Sequence, residues 1–321
     1  MLSRMGMLWT VRHLWPQAAR FVFNCYRHEA RLVCRRPGQD ALILFSREGV
    51  AQGDPLSMAL YGIGLLPLGG HLRAEHPEVL QPWFADDLAA MGLPGDIADC
   101  LVELQRVGPM FGYHPEPEKS WGICPLADEA GSKAAFAARG LTVNWTRGHR
   151  YVGGFVGSVA MRDRWIEPKV EGWVAAVEAL AKVARKHPQS AYAGFTQCLQ
   201  GQWAYVSRCV PGVGPLLAPV EEAIKQHFIP ALLGSPLEEL AKDSKTSEAD
   251  LRRLLGNSVK NGGMALRDPV ASAERARNCS VAVGKVLVES LVGGGRLDTI
   301  AHKQCARAAS QAARKERIEE E

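Results

Sequence analysis

Apolar and polar positions follow two different regimes along this chain, with the change near residue 158. Up to that point short strand-like runs alternate with helical ones. Met5, Leu8, Trp9, Leu14, Ala18, Phe21 and Val22 recur at helical spacing over 5–27. Residues 30–36 (ARLVCRR) and 41–47 (ALILFSR) read as strands, and Pro37-Gly38-Gln39-Asp40 between them predicts a hairpin. The next stretch, SREGVAQGDPLSM (46–58), is a loop whose Gly49, Gly53 and Pro55 let backbone approach a ligand closely. Ser57 is placed to cap an apolar helix over 58–68. QPWFADDLAAMG (81–92) is a short apolar run between breakers, which predicts a strand, a tight turn and a second strand. Ile97, Cys100, Leu101, Leu104 and Val107 mark an amphipathic helix over 96–107. A turn-rich loop at 112–119 leads to a strand at 120–124, residues 125–150 are weakly patterned, and 150–158 reads as a strand pair pivoting on Gly153-Gly154.

Beyond 158 the pattern is helical. One helix carries Val170, Trp173, Val174, Val177, Leu180, Ala181 and Ala184 and stops at Pro188. A second covers 191–209 and a third 213–233, each ended by a Pro/Gly pair or cluster. Residues 237–250 are polar and read as a linker. The last helical region runs from 271 to 292, breaks at the glycines 293–295, and continues as an Ala- and Arg-rich tail read as a solvated helix.

Composition narrows the class more than the function. The chain has 321 residues, 47% hydrophobic and 22% charged, which suits an ordinary globular protein of two or three domains. No apolar run approaches the roughly 18 residues that a membrane span needs, so no membrane partner is expected. Eight scattered cysteines without a C-x-x-C pair argue against a zinc site and for thiols in an intracellular, reducing compartment, nuclear or cytoplasmic. The Arg-rich, acid-poor start also admits a mitochondrial address. Charge is uneven. Residues 1–50 hold eight Arg against three acids, a net of +5; residues 71–131 hold three basic residues against eleven acids, a net of −8. A basic flank beside an acidic middle suits a protein that grips phosphates and concentrates cations.

Asp86 and Asp87 stand out because two ionised groups inside an apolar run are costly without a cation or hydrogen bonds to offset them. Neighbours on a strand point to opposite faces, so the pair can cooperate only at a turn. By itself the dipeptide also fits an ordinary hairpin tip with Asx-type bonds.

Four ordered blocks give the pair its company. REGVAQGDPLS (47–57) resembles motif B, FADD (84–87) motif C, GYHPEPEKS (112–120) motif D with His114 near the usual Asn, and YVGGFVG (151–157) motif E of reverse transcriptases of the non-LTR retrotransposon type. VKNGGMALRDP (259–269) resembles a block found downstream of that domain. The resemblance implies an α+β fold: a partial right-hand polymerase with an antiparallel palm over 1–158, a helical thumb over 159–236, and a linker with a C-terminal helical region over 237–321. It implies RNA-directed DNA polymerisation with two Mg²⁺ ions. Asp86 would be the metal ligand with Asp87 beside it, and Lys119 a proton donor near the pyrophosphate. Gln52, Gly53, Pro55, Ser57 and Phe84 would line the template and nucleotide site, and Gly153 and Gly154 would form the primer grip. The implied partners are an RNA template, a DNA primer duplex and a dNTP. The motif A aspartate of the family would fall before Met1, since 2–15 resembles the helix that follows it. Asp40 and Asp54 are the only substitutes in view, and neither sits on a strand expected beside 83–91. The expectation is therefore a nucleotidyltransferase relative that is inactive alone, or a nucleic-acid-binding protein derived from one.

Overall fold

The computed structural model describes residues 2–51 and 53–320 and divides into two units, Met1–Thr146 and Arg147–Glu321. The class is α+β, predominantly helical.

In the first unit, α1 (Arg4–Leu14) begins where the Ser3 hydroxyl accepts the Gly6 N–H at 3.2 Å. It breaks at Trp15, and Pro16 opens α2 (Pro16–Tyr26), the position where a proline's missing donor costs nothing. Met7, Val11, Val22 and Tyr26 turn inward against Leu60, Leu68 and Leu72 of α3 (Ser57–Glu75). The hairpin β1 (Ala30–Cys34) and β2 (Leu42–Ser46) pairs antiparallel with Leu32 opposite Leu44, as the sequence predicts. Next come β3 (Trp83–Phe84) and β4 (Asp87–Leu88), then α4 (Pro94–Val107), which adds Cys100, Leu104 and Val107 to the same core. The weakly patterned stretch resolves into a β-α-β unit. β5 (Trp121–Ile123) runs parallel to β6 (Asn144–Thr146), with α5 (Glu129–Ala137) as the crossover over Phe136, Leu141 and Ala98.

Two expectations need correcting here. Ser57 is not a cap: it is the first residue of α3, and Asp54 does the work of ending the loop, accepting the Ser57 N–H on its carbonyl at 3.0 Å and the Leu56 N–H on Oδ1 at 2.9 Å. The helix also runs to Glu75 through Pro67, beyond the expected end. The antiparallel palm sheet implied by the resemblance is not continuous: the described strands form four separate two-stranded pairs, one of them parallel.

The second unit opens with the hairpin β7 (Gly148–Tyr151) and β8 (Gly154–Gly157), whose turn residues Val152 and Gly153 both have positive φ. That sign at both central residues is what a two-residue turn of the primed type requires. Phe155 carries this hairpin into the helical core, so it belongs with the helices and not with the preceding segment. Three helical rods follow. α6 (Val159–Ala184) is capped by the Ser158 hydroxyl and tolerates Pro168 inside. The second is α7 (Pro188–Gly194) and α8 (Gln200–Cys209) joined by a π-turn at Phe195–Leu199. The third is α9 (Ala218–Ala223) and α10 (Ile229–Leu233) joined by a π-turn at Ile224–Phe228. Phe195 and Phe228 stack at 4.5 Å with planes 16° apart, both fully buried.

The stretch 237–250 is not a linker. It forms α11 (Leu237–Asp243) and the start of α12 (Glu248–Gly256), which bury Leu237, Ala241, Leu251 and Leu255 in the same core. Its apolar positions are too few to show a period among so many charges. Arg252 of α12 forms a two-pronged ion pair with Glu221, both contacts at 2.7 Å, and donates to the Leu266 carbonyl at 2.6 Å. The unit ends in a helical hairpin, α13 (Pro269–Val292) and α14 (Thr299–Glu320), with Asp268 capping α13.

Candidate functional site

The FADD segment builds a hairpin of minimal length. Trp83 pairs with Leu88 and Phe84 with Asp87, which leaves Ala85 and Asp86 as the two turn residues. A further bridge joins Leu80 to Met91. Ala85 has φ +54° without being glycine, a conformation that costs roughly 1–2 kcal/mol for an L-residue with a side chain. Positive φ at the first central position is the sign that primed hairpin turns need. Asp86 therefore sits in the turn and Asp87 beside it, both exposed, as the sequence predicts. Phe84 is exposed as well, at 57%.

Aromatic side chains brace the turn from beneath. The Tyr113 hydroxyl donates to the Asp86 carbonyl at 3.0 Å, and its ring meets Trp83 edge-on at 5.3 Å. Burial, helped by Tyr61 and by the charges of Asp86 and Asp87, pushes the Tyr113 phenol up to about 12. It stays protonated at neutral pH and so remains a donor. Tyr61, on the first turn and a half of α3, is raised too, first by burial and then by the charge of Asp86. The loop-to-helix segment after PLS, the FADD turn and the residue after Gly112 thus share one electrostatic neighbourhood. Neither tyrosine stood out in the sequence; the only signal is that each follows a block's conserved-type residues at short range.

The loop ahead of α3 is anchored from the other end of the unit. Arg4 is 6% exposed, and its guanidinium donates to the carbonyls of Ser46 (2.9 Å), Gly49 (3.2 Å), Glu48 (3.2 Å) and His28 (3.3 Å). Its backbone N–H donates to the Glu48 carboxylate at 2.8 Å. Gly53 follows with φ +90° and open space where a side chain would stand, in keeping with a close-approach loop. Gln52 lies outside the described residues. Pro55 is exposed and Ser57 half-buried.

Other expected residues are placed apart from the turn. Lys119 is on an exposed 3-10 turn, Pro117–Lys119, with its ammonium 2.5 Å from Glu116, whose hydrogen bond raises its pKa. Gly153 and Gly154 belong to the second unit, where the Tyr205 hydroxyl donates to the Val152 carbonyl at 2.7 Å and its ring closes over Gly153.

A two-ion centre needs carboxylates from at least two elements. The turn offers Asp86 and Asp87 alone, and among the described residues no three His, Cys, Asp or Glu side chains converge as a metal would require. Asp54 is no substitute: Oδ2 accepts the Tyr26 hydroxyl and Oδ1 the Leu56 N–H, bonds that hold its carboxyl below the usual range. Asp40 is an exposed residue of the β1–β2 connection. The residues present do not fit a two-ion centre. No helix among the described residues is long and apolar enough to cross a membrane. No protein-family model matches the chain, and no curated protein matches it.

Proposed function

We propose that the chain is a reverse-transcriptase-derived nucleic-acid-binding protein, retaining the turn of a polymerase palm and a thumb-like helical unit but not a working two-metal site. The observation that supports it most is the convergence just described. Segments from three blocks of the resemblance (Tyr61 after PLS, Asp86 and Asp87 of FADD, Tyr113 after Gly112) meet in one place in the first unit. Unrelated helical proteins have no reason to bring those segments together around an exposed carboxylate pair.

The binding role rests on charge. Arg12, Arg20, Arg27, Arg31, Arg35 and Arg36 are all exposed in the first unit, within a stretch nearly free of acids. Guanidinium groups in this density suit phosphate oxygens, with which they pair bidentately. Mg²⁺ held by the aspartate pair alone would keep mostly water in its coordination sphere and bind weakly. Phosphate contacts need no metal, so binding outlasts the loss of chemistry.

Fluorescence anisotropy of a labelled RNA–DNA hybrid duplex, titrated with the chain at several NaCl concentrations, tests the reading. Log affinity should fall linearly with log salt, by roughly 0.9 per phosphate neutralised on a duplex. Absence of binding at low salt, or binding indifferent to salt, contradicts the proposal.

A further inference from the structure

The β1–β2 ribbon is apolar on both faces and covered on neither. Leu32 and Val33 of β1 and Leu42, Ile43, Leu44 and Phe45 of β2 are each between 44% and 58% exposed. The two strands pair only with each other, so each also presents a free edge of backbone donors and acceptors. An isolated two-stranded hairpin is marginal in water, and apolar edges of this kind are templates for another strand.

The two edges differ in charge. The β1 edge has Arg31 within the strand, and residues 27–36 hold four Arg against one Glu, a net of +3. Bringing two such edges together sets like charges side by side. The β2 edge, Leu42-Ile43-Leu44-Phe45-Ser46, has no charged residue, and residues 40–48 carry Asp40, Arg47 and Glu48, a net of −1. Proteins protect exposed edges with charges or proline, and β2 has neither.

We infer that a second copy of this chain docks on β2, giving a twofold-symmetric dimer with a four-stranded antiparallel sheet in the order β1-β2-β2-β1. Centred on Leu44, the symmetry sets Ile43 opposite the partner's Phe45, an aromatic–β-branched pair of the kind that favours cross-strand association. Leu44 meets its own copy. The guarded β1 edges lie outermost, which closes the assembly at two subunits.

Sedimentation velocity of the full chain over a hundredfold concentration range tests this, with far-UV circular dichroism checking that each variant stays folded. The expected result is a monomer–dimer equilibrium. Ile43→Lys and Leu44→Lys, both at exposed positions, should each weaken it at least about tenfold, and Val33→Lys on β1 should leave it within about twofold. A monomer at every concentration overturns the inference. So does an open-ended ladder of oligomers, which would mean β1 pairing with β2 of the next copy, or equal weakening by the β1 and β2 variants.

Discussion

The aspartate turn and the helical core of the second unit are held by different means. Around the turn, the core of the first unit comprises fourteen buried residues among those described, and much of its order comes from single polar contacts: Arg4 on a row of carbonyls, Asp54 beneath Leu56, Tyr113 under Asp86. The second unit buries twenty-five in one continuous cluster, with stacked and edge-on rings of Trp173, Phe195, Trp203 and Phe228 near its centre. Every residue that the resemblance marks for chemistry, Asp86, Asp87 and Lys119, stands in the thinner unit. The dense unit holds none of them, and its exposed helices suit a duplex-gripping role in the proposed reading. Stability and candidate chemistry are separated in this chain.

The comparison can be broken at its strong end first. Phe228 is fully buried and stacked on Phe195, so Phe228→Ala should cost about 3–5 kcal/mol through lost burial and the cavity left behind. Chemical denaturation would measure it, and a loss under about 1 kcal/mol would mean that the second core is loosely packed after all.

A pH titration probes the polar scaffolding of the first unit. Arg106 foremost, then His71, hydrogen-bond Glu103 and hold its carboxyl at about 2, against an ordinary value of 4.5. A depressed folded-state pKa contributes stability that is complete above the unfolded value and lost as pH falls through the folded one. The first unit should therefore weaken between about pH 4.5 and about pH 2, and Glu103→Gln should flatten that part of the profile. An unchanged profile in the variant would remove Glu103 from the account.

The smallest effect lies at the turn. Tyr113→Phe keeps the ring against Trp83 but loses the bond to the Asp86 carbonyl, a change of roughly 0.5–1.5 kcal/mol. Amide hydrogen exchange at Ala85–Asp87 should quicken while exchange in the second unit stays constant. Uniform quickening across the chain would show that Tyr113 does not act locally.

These contrasts also separate what the sequence discloses from what it hides. Long helices in the second unit announce themselves because apolar residues such as Val170, Trp173 and Val177 repeat over several turns. The FADD hairpin is legible for another reason: a short apolar run between Pro82 and Gly92 has room for only one tight turn. The π-turns at Phe195–Leu199 and Ile224–Phe228 are invisible, since one inserted residue barely disturbs the side-chain period. The short helices of 237–256 are hidden by their charged surface, and the parallel pair β5–β6 by strands of three residues with no alternation to read. At the site, the aspartates could be found in the sequence and the tyrosines bracing them could not, because Tyr61 and Tyr113 reach the turn from 25 and 27 residues away from Asp86 along the chain.

Primer extension tests the central claim most directly. The purified chain, given an RNA template, an annealed DNA primer, dNTPs and Mg²⁺ or Mn²⁺, is compared with its Asp86→Ala variant. With carboxylates from only one strand, transition-state charge goes largely uncompensated, and each 1.4 kcal/mol or so lost is about tenfold in rate. The account predicts no extension above the variant with either metal, while salt-sensitive duplex binding persists in both proteins. Extension that depends on Asp86 would contradict it, and would mean that a complete metal site exists in this chain.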